Sequence, residues 1–368
     1  MADTPQPHPF ALKPHIQRGD PAPDIQGPHR TLFDTIAGRY IVLSFYQGAR
    51  DTIGQATLRA LHEQRELVEQ KKAAFVCVSS NLAEKAELKL ELVFPSLLFL
   101  WDFDALVSRA YGVGRLRVWI ILDPMLRVLD VIPFRSDGSD RQQLFAFLDG
   151  LPPPSRALGF ETQAPFIILP NVFEPELCRH LIDIFEQHGG RESGFMRESG
   201  GKAVETHDTT VKRRRDFMIT DEALMEQIKA RIARRIGPMM VTAFHFKPSR
   251  VERYLIACYS AEDGGHFASH RDNKAKVTEH RRFAASIYLN DDFEGGGLGF
   301  PEYSAQQIKA PVGAAVIFSS SLVHCVSKVT RGRRYAFLPF IHDEEAEKIR
   351  IANLQSLSNP TGTPKDSA

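Results

Sequence analysis

The chain has 368 residues, 43% of them hydrophobic and 25% charged, with 46 Lys and Arg against 45 Asp and Glu for a formal net charge of +1. This composition excludes a collagen, a coiled coil and a wholly disordered chain, and the near-neutral balance gives no electrostatic case for a dedicated nucleic-acid binder. At about 150 residues per domain, the length predicts two or three domains.

Residues 1–17 are read as a flexible N-terminus, because the Pro- and His-rich start has no apolar core and so no signal peptide. Strands and helices then alternate. Tyr40 to Tyr46 is a β-branched and aromatic run, predicted as a buried strand, and Leu58, Leu61, Leu67 and Val68 give helical spacing over 53–72. A second buried strand is predicted at Phe75–Ser79 and a helix over 82–92. Two strands flank the turn at Asp123-Pro124, and a helix closes the region at 139–149. This alternation predicts an α/β domain over 18–150 with a sheet covered on both faces.

Leu151 to Phe160 contains three consecutive prolines, which continue neither a helix nor a central strand, so it is read as a linker. Beyond it, helices are predicted over 174–188, with Pro175 in the first turn, and over 221–235. The basic run Lys212 to Arg215 between them reads as a solvated face or a channel rim. From Val251 onward short strands and turns dominate: 251–259, 266–271, 283–290, 298–300, 314–318, 322–326 and 334–341. Residues 344–368 are assigned to a C-terminal tail, polar and frayed from about 352.

Cys77, Cys178, Cys258 and Cys325 lie far apart with no CxxC, which argues against a zinc ribbon, a dithiol pair or a disulfide scaffold. No apolar run reaches the length of about 18 residues that a membrane span needs. The expectation is a cytoplasmic protein with reduced thiols and neither membrane nor nucleic-acid partners.

Gly19-Asp-Pro-Ala-Pro-Asp24, the strand ending Ser44-Phe-Tyr46, and Val76-Cys-Val-Ser79 make 18–150 resemble a peroxiredoxin of the thioredoxin fold. That family's reactive cysteine opens the helix after the first main strand, where the helix N-terminus and an Arg favour the thiolate. Here the family's Pro falls on Gln47 and its cysteine near Gly54, so both functional residues are missing. Cys77 sits inside an apolar strand and reads as a small core residue. The domain is expected to be inactive as a peroxidase and to serve as a scaffold, with a homodimer through 18–150 as the expected assembly.

The chemistry lies in Gly264-Gly-His-Phe-Ala-Ser-His270-Arg-Asp272-Asn273. On a strand, His270 and Asp272 share a face while Arg271 points away. One imidazole and one carboxylate are two-thirds of a facial iron site. His324, near the end of an apolar strand, is the candidate third ligand. Two His and one carboxylate leave positions open, which suits non-haem Fe(II), whereas zinc more often takes a closed tetrahedron or three His. Arg334, ten residues on, could grip a carboxylate with its bidentate fork, and its neighbour Arg333 competes for that role.

In sequence order, Ala257-Cys-Tyr259, the HxD pair, Ser286-Ile-Tyr-Leu-Asn290, Phe293 to Pro301, Pro311 to Phe318 and His324 with its downstream Gly-Arg resemble the prolyl 4-hydroxylase-like 2-oxoglutarate- and Fe(II)-dependent dioxygenases. The resemblance covers about 160–343. It implies a double-stranded β-helix, or jelly roll, with flanking helices over 161–343, following the thioredoxin-like domain. It implies that His270, Asp272 and His324 hold iron, that Arg334 pairs with the 5-carboxylate of 2-oxoglutarate, that Tyr288 donates to the same carboxylate, and that Tyr259 lines that pocket. Asn273 is a candidate partner that orients Asp272. The implied cofactors are Fe(II), 2-oxoglutarate and O2, with ascorbate as a supporting reductant. The implied reaction splits 2-oxoglutarate to succinate and CO2 and hydroxylates a substrate, either a prolyl or other protein side chain or a small molecule. The alternatives are a non-catalytic β-helix binding module and a peroxidase with an unusual thiol.

Overall fold

The structure is a computed structural model that describes residues 16–23, 30–46, 52–81, 94–199 and 202–358. The helix expected over 82–92 and the position of Gln47 lie outside them. The chain divides between Thr162 and Gln163 into two compact units, with Glu302–Ser304 grouped with the first.

The first unit holds α1 (Arg30–Thr35), β1 (Tyr40–Phe45), α2 (Thr52–Glu63), α3 (Arg65–Gln70), β2 (Ala73–Ser79), β3 (Leu97–Trp101), α4 (Leu106–Ala110), β4 (Val118–Leu122), β5 (Val128–Pro133) and α5 (Ser139–Asp149). The strands form one sheet in the order β3-β2-β1-β4-β5, parallel on one side of β1 and antiparallel on the other. The central strands are buried on both faces, which is why they read as unbroken apolar runs. Cys77 is buried in β2, and Gly54 is buried within α2. The single helix expected over 53–72 is two, divided at Gln64. After α5, Pro154–Arg156 forms one 3-10 turn.

The second unit opens with β6 (Phe166–Leu169), α6 (Pro175–His188), β7 (Arg191–Glu192), β8 (Phe195–Ser199), β9 (Lys202–Thr206), β10 (Lys212–Arg213) and β11 (Arg215–Met218). Then come α7 (Glu222–Arg231), a π-helical turn at Ile232–Ile236, and α8 (Gly237–Phe244). The Asp221 carboxylate caps α7 by accepting from the Leu224 amide at 2.7 Å. The helix expected to stop at 235 therefore runs on, across a π turn set just before Pro238, which cannot donate a backbone hydrogen bond.

The β-rich remainder comprises β12 (Arg250–Glu252), β13 (Leu255–Ser260), β14 (His266–His270), β15 (Phe283–Tyr288), β16 (Glu294–Gly295), β17 (Leu298–Gly299), β18 (Gln307–Ile308), β19 (Ala315–Ser319), β20 (His324–Val326), β21 (Val329–Arg331), β22 (Arg333–Phe337) and β23 (Phe340–His342). Two expected strands are broken. Arg253, at φ +67°, separates β12 from β13, and Pro339 separates β22 from β23. The smaller sheet has the order β10-β14-β20-β17-β18. The larger runs β12-β23-β15-β22-β13-β11-β7, with β19 pairing β15 and β6. Their inner faces meet: Phe318 on β19 lies 4.7 Å, ring to ring, from His324 on β20. The outer face of the larger sheet packs on α6 and α7 through Leu181, Phe185, Ile228, Ile256 and Phe337. The region assigned to a tail begins with a helix, α9 (Glu344–Ser358), because Ala346 and Asn353 bury a face that composition alone hides.

Candidate metal centre and its surroundings

His270 ends β14 and His324 begins β20, and the two are directly paired across the antiparallel ladder. A register irregularity between Phe267 and His270 re-aims the end of β14 and lets the Phe267 ring stack on the His270 ring at 3.5 Å. Asp272 follows two residues on, with its amide donating to the Ser320 carbonyl at 3.0 Å. Each imidazole is oriented by its own backbone. Nδ1–H of His270 donates to the Ala268 carbonyl at 2.8 Å, and that of His324 to the Leu322 carbonyl at 3.0 Å. A carbonyl can only accept, so each Nδ1 carries a proton and each Nε2 is the atom that faces inward.

The spacing of those ligand atoms suits a shared ion. Asp272 Oδ1 lies 3.6 Å from His270 Nε2, and Oδ2 lies 3.3 Å from His324 Nε2. Ligand atoms about 2.1 Å from one ion and about 90° apart sit about 3 Å from each other. A second group, Glu252, His280 and His342, also clusters. There His280 Nε2 lies only 2.5 Å from Glu252 Oε2, which is a hydrogen bond with no room for an ion. Arg281 pairs with the other Glu252 oxygen at 2.9 Å, and His342 is held by Glu347 at 2.8 Å. That group is an ion-pair network tying α9 to the sheet. His280, though it opens the basic stretch His280-Arg281-Arg282, is buried.

Electrostatics separate the three candidate ligands. Burial and then the nearby His324 push the His270 imidazole down to about 4. Burial alone would raise the Asp272 carboxyl, but His324 and His270 hold it well below the usual carboxylate range. Burial opposes charging of His324, yet Asp272 raises it. A carboxylate and at least one neutral imidazole are therefore ready without any proton leaving.

Arg334 and Arg333 face opposite ways on β22. Arg333 is outward, paired with Glu186 and Glu262, while Arg334 is 1% exposed. Arg334 Nη2 donates to Ser286 Oγ at 3.0 Å, and its Nε and Nη1 have no acceptor among the described residues. Buried donors without acceptors are rare and costly. The rings of Tyr288 and Tyr259 lie 4.8 and 5.1 Å from the guanidinium. The Tyr288 hydroxyl donates to the Ile308 carbonyl at 2.8 Å, so its proton is engaged. The Tyr259 hydroxyl accepts from Arg214 at 3.3 Å, which leaves its own proton free to donate. Asn273 gives its amide to Ser321 Oγ at 2.7 Å and braces that loop instead of the Asp272 carboxylate.

The basic run 212–215 does not form a solvated face. On β10 and β11 it alternates: Arg213 and Arg215 point out, while Lys212 is 6% and Arg214 7% exposed. Arg214 is clamped by Asp216, Nε to Oδ1 at 2.6 Å and Nη2 to Oδ2 at 2.7 Å. Burial first, then Arg214, bring the Lys212 amine down to about 6. Sequence reasoning missed Lys212, Arg214, Phe267 and Ser286; only the period-2 alternation of the basic run signals the first two.

Residues 254–342 match the model of the 2OG-Fe(II) oxygenase superfamily. The C-terminal unit contains a 2OG-Fe(II) oxygenase domain. Over 179 residues the chain is 26% identical to a PKHD-type hydroxylase of Pseudomonas fluorescens, covering 46% of this chain and 74% of that one. A PKHD-type hydroxylase of Synechococcus is 29% identical over 121 residues, 30% of this chain, and the match spans 53% of that relative's length. Among solved structures, a Pseudomonas putida prolyl-4-hydroxylase aligns at TM-score 0.36 and 18% identity over 49% of this chain and 94% of that one. A peroxidoxin, BcpB from Mycobacterium tuberculosis, aligns at TM-score 0.32 and 23% identity over 38% of this chain and 99% of that one. The oxygenase family implies Fe(II) and 2-oxoglutarate. The ligand spacing at His270, Asp272 and His324 fits the metal, and the two donors of Arg334 without acceptors fit a carboxylate. Among the described residues no helix is long and apolar enough to cross a membrane.

Proposed function

We propose that the protein is a 2-oxoglutarate-dependent hydroxylase whose iron is held by His270, Asp272 and His324 at one mouth of a jelly roll formed by the two sheets of the second unit. The observation that carries this reading is Arg334, a buried guanidinium with two donors lacking acceptors, joined to the ligands by a continuous run of contacts. From His270 the run passes to Phe267 at 3.5 Å, on to Arg214 at 5.9 Å, to Tyr259 at 5.7 Å and to Arg334 at 5.1 Å. A bare metal site would not need that second pole. Iron with 2-oxoglutarate bound supplies the oxidising power, coupling decarboxylation of the co-substrate to hydroxylation.

The chain's own residues do the rest. The backbone-held imidazoles of His270 and His324 keep their geometry, and three protein ligands leave coordination positions for co-substrate and O2. Arg334 takes the far carboxylate of 2-oxoglutarate through Nε and Nη1, and Tyr259 has a hydroxyl proton to give it. Tyr288 would join only by releasing Ile308. Phe300 and Phe318 pack around His324 at ring separations of 6.4 and 4.7 Å, lie 5.0 Å from each other, and help keep water from the metal. The first unit, with Gly54 near the position of a reactive cysteine, is a scaffold. The test is anaerobic addition of Fe(II) and then 2-oxoglutarate to metal-free protein. A weak visible charge-transfer band that is lost in Asp272→Ala supports the reading; a folded wild-type protein with no band refutes it.

A further inference from the structure

Lys212, on β10, and Arg214, between β10 and β11, are buried beside the candidate metal ligands. Lys212 Nζ lies 4.9 Å from the centre of the Phe267 ring, which also stacks on His270, and within electrostatic range of Asp272. Arg253 joins them, 3.7 Å from Asp216. Three basic side chains thus surround one carboxylate, Asp216, which is already clamped by Arg214 and also accepts from Ser193 Oγ at 2.5 Å. Glu252, next in sequence to Arg253, is committed to His280 and Arg281. Among the described residues, Arg214 and Arg253 against Asp216 leave an excess of one formal positive charge even with the Lys212 amine neutral, and charge so largely buried is costly unless it is paired.

The bound cofactors would not supply the missing anion. The formal charges of a divalent iron, Asp272, Arg334 and a 2-oxoglutarate dianion cancel among themselves. Lys212 spends one hydrogen on Ser193 Oγ and one on the Gly194 carbonyl, each at 2.6 Å, and its third donor has no acceptor among the described residues. We propose that Lys212 is a substrate-binding residue and that the substrate presents a carboxylate to it, as a free acid or as an acidic side chain of a peptide. This rests on the oxygenase reading above.

The test uses full-length protein under anaerobic conditions with Fe(II) and saturating 2-oxoglutarate. It is titrated with butanoate and its amide, and with a capped Ala-Asp-Ala tripeptide and its asparagine counterpart, read by calorimetry and by the visible band. At least one acid should bind about tenfold or more tightly than its amide, the scale of one charge-assisted hydrogen bond. The preference should vanish in Lys212→Met and persist in Lys212→Arg, with 2-oxoglutarate affinity alike in all three. Preference for the tripeptide alone assigns a peptide substrate; preference for the free acid assigns a small molecule. Equal binding of acid and amide, no binding of either, or a preference that survives Lys212→Met overturns the proposal. So does a loss of 2-oxoglutarate affinity in Lys212→Met, which would move the amine to the co-substrate site. Should Lys212→Met fail to fold, the acid–amide comparison in wild type and in Lys212→Arg still decides. Absence of the band in wild type would count against the oxygenase reading, whereas the calorimetric acid–amide difference reports on Lys212 separately.

Discussion

Replacing Arg334 by Met should separate affinity from stability, with opposite signs. The guanidinium is buried, makes one hydrogen bond to Ser286, and leaves two donors without acceptors among the described residues. Exchanging a buried charge for an apolar chain of similar length is neutral or stabilising by about 1–4 kcal/mol, against about 1 kcal/mol for the lost hydroxyl contact. The melting temperature of metal-free Arg334→Met should therefore match or exceed that of wild type. Co-substrate binding should suffer. Two charge-assisted hydrogen bonds at about 1.5–3 kcal/mol each correspond to a rise in Kd on the order of 10²- to 10⁴-fold. Thermal melts of metal-free protein and anaerobic titration of the Fe(II) form with 2-oxoglutarate give both numbers. A melting point that falls by more than about 5 °C while 2-oxoglutarate affinity is unchanged would make Arg334 a structural residue and refute the reasoning.

Three further outcomes are expected. His270→Ala should abolish Fe(II)-dependent succinate formation and lower metal content measured by elemental analysis; unchanged turnover would remove His270 from the site. Glu252→Gln should cost about 3 kcal/mol at pH 7, the scale for breaking a buried ion pair, read by urea unfolding. Burial raises the Glu252 carboxyl, but His280 and Arg281 more than offset this and hold it below its ordinary 4.5. Its contribution is thus present above about 4.5 and lost as pH falls further, so wild type and variant should converge in acid. A difference that stays constant from neutral to acid pH would contradict that assignment. Gly295→Ala should destabilise the second unit by about 3 kcal/mol: φ is +69°, and a Cβ would stand 2.1 Å from the Lys328 carbonyl oxygen. A melting point equal to wild type would show that the β16–β21 pairing yields more easily than its geometry implies.

The ligand stretch was legible because chemistry and periodicity coincide there. His270 and Asp272 are spaced for one face and His324 ends an apolar run, but the β14–β20 pairing that brings His324 to His270 is a tertiary fact. The choice between Arg333 and Arg334 was open in sequence, since alternation says that neighbours oppose but not which faces in; burial in β22 decides it. The basic run misled for a related reason. Four like charges suggest solvent, but β10 and β11 turn every second one inward, and the compensating Asp216 is two residues from Arg214 on the same face. Composition cannot register such a pairing. The polar helix α9 was missed because ion pairs such as His342–Glu347 hold it, with little apolar periodicity to announce it.

The direct pairing of His270 with His324 joins residues far apart in the chain. A nascent chain that has emerged only through β19 already displays His270 and Asp272 but lacks the third ligand. Two ligands on an unfinished sheet would hold iron weakly, so the centre closes only once β20 has added to β14 in the correct register. A slip of one residue would turn His324 to the opposite face. On the proposed reading, synthesis order thus delays assembly of the iron site until most of the sheet that shelters it has been made.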